Sequence, residues 1–183
     1  MTSNWFIGVP APLAFDLEVP PSVHPIHPAD RHLTVAFLGP CGEARARLAW
    51  ETAARFDLEA LDVHLDGTRL LGHPKRPSAL AVLIGRGRRR LAEAMLLRDE
   101  LRAAAGLAPE RRPPLPHVTF ARIARRVDPG VRQAIAAWAR GLKFEGSLPL
   151  TELALYTGST GGGARRYRVV LRRPLRSHRR SPS

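Results

Sequence analysis

Apolar and polar positions alternate with period two in several short runs, and recur at helical spacing in three longer ones. The alternating runs predict strands. "NWFIGVP" (4–10) reads as a first strand stopped by Pro10, and "HLTVAFLG" (32–39) as a second ended by Gly39-Pro40. Residues 10–30 carry six prolines, which neither continue a helix nor donate to a ladder, so that stretch is expected to be an irregular loop. In "ALDVHLDG" (60–67), Leu61, Val63 and Leu65 share one face; Asp66-Gly67 is a candidate hairpin turn, with "TRLLG" as the return strand. "SALAVLIG" (78–85) is continuously apolar and predicts a central strand. "HVTFARI" (117–123) predicts another, and "LKFEG", "LPLTELALYTG" and "ARRYRVVLR" predict three more over 142–172, with a hairpin loop at 158–163. Helices are expected over 43–56, with Leu48, Ala49, Ala53 and Phe56 on the apolar stripe, and over 88–106, closed by Gly106. A third is expected over 128–141, with Asp128 as N-cap and Pro129 in the first turn.

Strands come in pairs, and helices follow only some of them. That order lacks regular β-α alternation and predicts an α+β fold with mainly antiparallel sheets. The chain also repeats itself. "HLTV" begins at residue 32 and "HVTF" at 117, and each leads through a turn to a helix and then to further strands. Two similar halves facing each other would explain the duplication. The expected architecture is therefore bilobal: two mainly antiparallel sheets with outer helices, related by a pseudo-twofold axis, with a groove between the lobes. One domain is expected over 1–173, followed by a flexible basic tail at 174–183.

At 183 residues the chain can bury a core without cross-links, and its single cysteine, Cys41, allows no internal disulfide. No basic-then-apolar leader opens the sequence, and no apolar run approaches the roughly 20 residues of a membrane span. The expectation is a soluble, cytoplasmic monomer with no membrane partner. Charge changes the picture more. The formal net charge is +13, and lysine contributes only Lys75 and Lys143, the rest being arginine. Such an excess favours a polyanionic partner through phosphate attraction and counterion release.

On a strand, residues i and i+2 point the same way. His32 then shares a face with Thr34, and His117 with Thr119. If the two strands meet about a twofold axis, two imidazoles and two hydroxyls converge. A neutral imidazole can take a proton from water, and a protonated one can give a proton to a departing alkoxide; with an unperturbed pKa of about 6.5, both forms exist near neutrality. The hydroxyls can hold the non-bridging oxygens of a phosphodiester. No His-x-x-His, HExxH or carboxylate cluster accompanies either histidine, so no metal site and no cofactor are expected. No G-x-S-x-G or Cys-His signature suggests a nucleophilic triad. One His-x-Thr is most often a half-buried histidine beside a β-branched residue; two copies at strand starts in a basic chain point to function. The other histidines fit turns, loops or a solvent face: His24 and His27 in the proline-rich loop, His64 on a strand, His73 before Pro74, and His178 in the tail.

The paired "HLTV" and "HVTF" resemble the tandem HxTx motifs of the 2H phosphoesterases, and most closely the RNA 2′,3′-cyclic phosphodiesterases, also called the 2′-5′ RNA ligase family. "WFIGV" resembles that family's opening strand, "RPSALAVLIG" its central strand and "LALYTGSTGGGARRYRVV" its closing hairpin. The resemblance implies metal-independent hydrolysis of an RNA 2′,3′-cyclic phosphate end to a 2′-phosphomonoester. His32 would be the proton donor to the leaving 3′ oxygen and His117 the proton acceptor from water. Thr34 and Thr119 would bind phosphate oxygens, and the reverse reaction would join RNA ends through a 2′-5′ linkage. Arg122, Arg126 and Tyr167 are implied as substrate-binding residues, with Arg125 as a further RNA backbone contact. Arg122 stands five positions from His117, so an ideal strand would turn it away; it needs a bulge to reach a phosphate. The proline-rich 10–30 stretch replaces a helical segment usual in the family, and Arg31 has no role beyond a possible phosphate contact. Two other readings are a phosphodiesterase acting on 2′-5′ oligonucleotides or small cyclic nucleotides, and a non-catalytic basic RNA-binding module.

Overall fold

In the computed structural model, every named strand pairing is antiparallel. The structure describes residues 3–177 except 14, 16, 57 and 160–164. In chain order the elements begin with β1 (Trp5–Pro10), β2 (Val23–Pro25), a 3-10 turn at Pro28–Asp30, β3 (His32–Gly39) and α1 (Glu43–Ala53). β4 (Leu61–His73), β5 (Arg76–Ile84), α2 (Arg88–Met95), α3 (Arg98–Ala104) and β6 (His117–Ile123) follow. α4 (Pro129–Gly141), β7 (Ser147–Leu150), β8 (Glu152–Gly158) and β9 (Tyr167–Pro174) complete the set.

The sheet order is β7-β4-β5-β6-β3-β1-β8-β9, with β2 pairing on β6. Its two halves, β3-β1-β8-β9 and β6-β5-β4-β7, are the two expected sheets. They do not stand apart: one residue pair, Leu33 with Val118, joins β3 to β6. Both side chains are fully buried, as are Ile7, Leu80 and Val82 on the same face. Helices cover that face. α1 packs with Ala46, Ala49 and Ala53, small residues that let its backbone approach the sheet closely. Leu48, expected on its apolar stripe, is 52% exposed. α4 covers the other half through Ile135 and Ala139.

Four local expectations need correction. Asp66-Gly67 is not a hairpin turn. β4 runs straight through it to His73, and Gly67, at φ +56°, is the extra residue of a register shift opposite β5. The helix expected over 88–106 is two helices. Its chain turns at Leu96-Leu97 through i→i+3 bonds, which lets Arg98 reach the Glu110 and Arg112 carbonyls. No glycine or proline marks that break. "LKFEG" forms no strand. "LPLTELALYTG" is two strands divided at Thr151, one pairing with β4 and the other with β1, so the chain crosses there from one half to the other. Part of the 158–163 loop and residues 178–183 lie outside the described residues. Leu175 and Arg176 hydrogen bond through their backbones to Thr151, Leu58 and Ala60.

Candidate active site

The Leu33–Val118 junction decides what converges. Residues directly opposite in an antiparallel pair share a face, and their neighbours point to the other. With Leu33 and Val118 buried on the helix side, His32, Thr34, His117 and Thr119 all emerge on the open side. The two imidazoles are close enough that the charge of His117 presses on His32, and Arg122 acts on both.

Both rings are anchored alike. His32 Nδ1 donates to the Asp30 carbonyl at 2.7 Å, and His117 Nδ1 donates to the Leu115 carbonyl at 2.6 Å. A carbonyl only accepts, so the proton sits on Nδ1 and Nε2 is left for the groove in both rings. Among the described residues, no protein group hydrogen bonds the Thr34 or Thr119 hydroxyl, or the Arg122 guanidinium. The four motif side chains and Arg122 are partly exposed. This arrangement offers two proton-transfer atoms, two hydroxyls and a cation to one anionic group.

The bulge that Arg122 requires is present. β6 pairs with β5 as Leu83 with His117, Ala81 with Thr119 and Ala79 with Arg122, with a register shift between Leu80 and Ala81. Phe120 and Ala121 therefore both turn into the core, and Arg122 returns to the histidine face. β3 does the same against β1. Gly8 faces Thr34 and Phe6 faces Phe37, with the shift between Ile7 and Gly8. Gly8 is required there, since a Cβ would sit 2.7 Å from the Leu33 carbonyl oxygen.

Aromatic rings surround His32. Phe6 stacks on it at 4.4 Å between centroids, Tyr156 lies at 5.2 Å, and Tyr167 meets it edge-on at 5.3 Å. Burial accordingly pushes His32 down to about 4, with His117 adding and the Asp30 carbonyl bond opposing. Burial also lowers His117, and Arg69 and Arg122 lower it further. Ligand-free, both imidazoles are neutral at pH 7. Burial pushes the Tyr156 phenol up, so it holds its proton.

Sequence reasoning missed part of this site. Phe6 and Gly8 share a face by alternation, but only the topology reveals which face. Arg69 reaches the groove side because it pairs opposite Ala81. His24 lies opposite Arg122 on β2, hence on the groove side rather than in irregular loop. Asp30 is 1% exposed. Its carboxylate accepts from Arg165 Nε at 2.7 Å and from the Arg166 backbone N–H at 2.7 Å, tying the end of the β8–β9 connection to the residue that orients His32. Arg31 is buried and contacts no phosphate site. Its Nε donates to the Ile26 carbonyl at 2.9 Å, a second nitrogen donates to the Leu13 carbonyl, and the guanidinium lies 5.1 Å from the Phe15 ring. It staples the proline-rich stretch to the start of β3. Tyr167 reaches the site; Arg125 and Arg126 do not line it and instead border a separate cleft beyond β6. Among the described residues, no three His, Cys, Asp or Glu side chains gather closely enough to hold a metal ion. No helix there is long and apolar enough to cross a membrane.

Comparison with known proteins follows the same lines. The sequence model of the 2′-5′ RNA ligase superfamily matches residues 23–162. The structure of E. coli LigT complexed with 3′-AMP superposes with a TM-score of 0.68 at 21% identity, covering 94% of this chain and 98% of that one. TT0787 of Thermus thermophilus gives a TM-score of 0.65 at 23% identity, covering 95% of this chain and 98% of that one. Comparison with curated proteins returns no match.

Proposed function

The chain belongs to the 2′-5′ RNA ligase superfamily, and from that membership we propose that it is a phosphodiesterase that opens 2′,3′-cyclic phosphates at RNA ends without a metal. One observation carries the reading: two imidazoles, each with Nδ1 tied to a carbonyl two residues back, present Nε2 to one groove beside two unengaged hydroxyls. Thr34, Thr119 and Arg122 hold the non-bridging oxygens. Water attacks phosphorus opposite the 3′ oxygen, and His117 Nε2 takes its proton. The P–O3′ bond breaks, His32 Nε2 gives its proton to O3′, and the product is a 2′-phosphomonoester with a free 3′-hydroxyl. Tyr167, partly exposed and edge-on to the His32 ring, gives the sugar or base an apolar wall, with the buried Phe6 packed behind it. With an RNA 5′-hydroxyl attacking in place of water, the same atoms acting in the same order break P–O3′ and form a 2′-5′ linkage.

The donor role requires a protonated His32, whose ligand-free pKa of about 4 lies well below neutrality. An anionic phosphate at the groove favours the imidazolium and raises it on binding. The free-protein environment favours a second assignment, with His32, the more depressed of the two, as base and His117 as acid. Leaving-group dependence separates the two. If His32 is the acid, His32→Ala loses most activity on a cyclic nucleotide and recovers much of it on an aryl phosphodiester, whose leaving group needs no proton. Recovery by His117→Ala instead establishes the reverse assignment. The overall reading is tested by product analysis on an RNA ending in a 2′,3′-cyclic phosphate, in excess EDTA. A 2′-phosphate product is expected; no turnover, or a 3′-phosphate product, overturns it.

A further inference from the structure

β6 leads out of the histidine groove into a second basic feature. An open cleft of about 640 Å³ lies between the β4–β5 hairpin and the start of α4. Lys75 and Arg76 border it from the hairpin, Arg125 and Arg126 from the segment after β6, and Arg132 from α4. Leu70 and Val127 give it an apolar floor, and no aspartate or glutamate lines it. Elsewhere Arg47, Arg90, Arg112 and Arg172 each hold a carboxylate. Among the described residues, none of these five cations forms an ion pair.

Five like charges around one concavity repel one another unless an anion joins them. The α4 N-terminus adds partial positive charge of the same sign. Asp128, its N-cap, is exposed and makes no side-chain cap bond, so it leaves the first helical N–H groups open. A cationic rim over an apolar floor is the chemistry that tracks a nucleic-acid backbone while accommodating sugar and base. β6 ends at Ile123, and the cleft opens just past that end on the helix side of the sheet, where Leu70 pairs with the buried Leu80 and Arg132 stands on α4, so a strand leaving the histidine groove rounds the end of the sheet to enter it. Arg122 stands between His117 and that end of β6, on the groove side.

We propose that this cleft binds the phosphodiester backbone of the RNA strand leading to the reacting end, so that the preferred substrate is an RNA chain rather than a free cyclic nucleotide. This rests on the functional reading above, and the test keeps the two apart. Lys75→Glu/Arg76→Glu alters exposed side chains away from the histidine groove, so its unfolding midpoint should match the wild type. Binding of a non-hydrolysable 2′-O-methyl oligoribonucleotide is followed by fluorescence anisotropy across a salt series. Hydrolysis is compared on a nucleoside 2′,3′-cyclic phosphate and on an oligonucleotide with a cyclic end. The double variant should bind the oligonucleotide roughly 10-fold or more weakly at about 0.1 M salt, with its log–log salt slope flatter by about 1.4 for two lost single-strand contacts. It should raise KM for the cyclic-ended oligonucleotide and leave the mononucleotide unaffected. Lys75→Gln/Arg76→Gln should give a smaller shift in the same direction. Unchanged affinity and salt slope in the Glu variant overturn the proposal. So does a poly-glutamate peptide of equal charge that binds wild type as tightly as RNA and is lost in parallel. If wild type hydrolyses neither substrate, the functional reading falls, while the anisotropy series still decides whether the cleft holds RNA.

Discussion

The half of the groove built on β3 and the half built on β6 share a backbone and differ in chemistry. Each begins His-x-Thr, each anchors Nδ1 on a carbonyl two residues back, and each inserts a bulge after the threonine. The residue that each bulge returns to the groove side is Phe37 in one half and Arg122 in the other. Across from it stand Phe6 in the first half and Ala79 in the second. One step further out lie Tyr156 in the first half and Leu71 in the second, where Arg69 joins the face one pair along. So His32 sits in an aromatic wall and His117 among cations. A duplicated backbone supplies two equivalent proton-transfer atoms, and unequal surroundings make them inequivalent, which acid–base division of labour requires.

Four experiments probe this contrast. Removing either imidazole has the largest effect: His32→Ala or His117→Ala should lower kcat by about 10²- to 10⁴-fold, with circular dichroism unchanged. Full activity in either variant would end the two-histidine reading. Phe6→Ala should destabilise the chain by about 3 kcal/mol or more, by emptying a buried ring site. It should also let water reach His32 and move its NMR titration up from about 4 towards the ordinary value. An unmoved titration would mean that the ring only packs.

Stability against pH comes next. Both imidazoles are depressed in the folded chain, so as pH falls the unfolded chain takes up protons first. The stabilisation is complete above about 6.5 and drains away between there and about 4, where His32 itself protonates. For His32 this amounts to on the order of 3 kcal/mol. His32→Asn should flatten the fall in unfolding free energy across that window; a curve as steep as wild type contradicts it. The smallest effect tests the basic half. Arg122→Ala should lower kcat/KM by about 10-fold, equivalent to about 1.4 kcal/mol, and move the His117 titration up by removing a nearby cation. Phe37→Ala, 48% exposed on the aromatic half, should leave the His117 titration in place.

Strand limits were legible where alternation was strong. "HLTVAFLG" and "HVTFARI" form strands with the expected bounds, and the return of residues i and i+2 to one face brings each histidine beside its threonine. Legibility failed where the deciding interaction was distant. Asp66-Gly67 has the composition of a turn, but pairing with β5 carries the strand through it. The break at Leu96-Leu97 has no local signal, because it serves Arg98 and the 110–112 carbonyls. Thr151 divides two strands only because their partners, β4 and β1, lie in different halves. Nothing local marks Asp30 for burial, and the phosphate contact considered for Arg31 does not form, because contacts with residues distant in the chain bury both.

Side-chain period and composition suffice to specify the duplicated His-x-Thr strands, the antiparallel α+β character and a charge suited to phosphate. Long-range pairing sets the single pair at which the two strands meet, turns Phe37 and Arg122 to the histidine side through bulges, and places one imidazole against aromatic rings and the other among arginines. Those outcomes depend on register and packing between segments up to 150 residues apart, as Phe6 and Tyr156 are, and neither is written in any local stretch of chain.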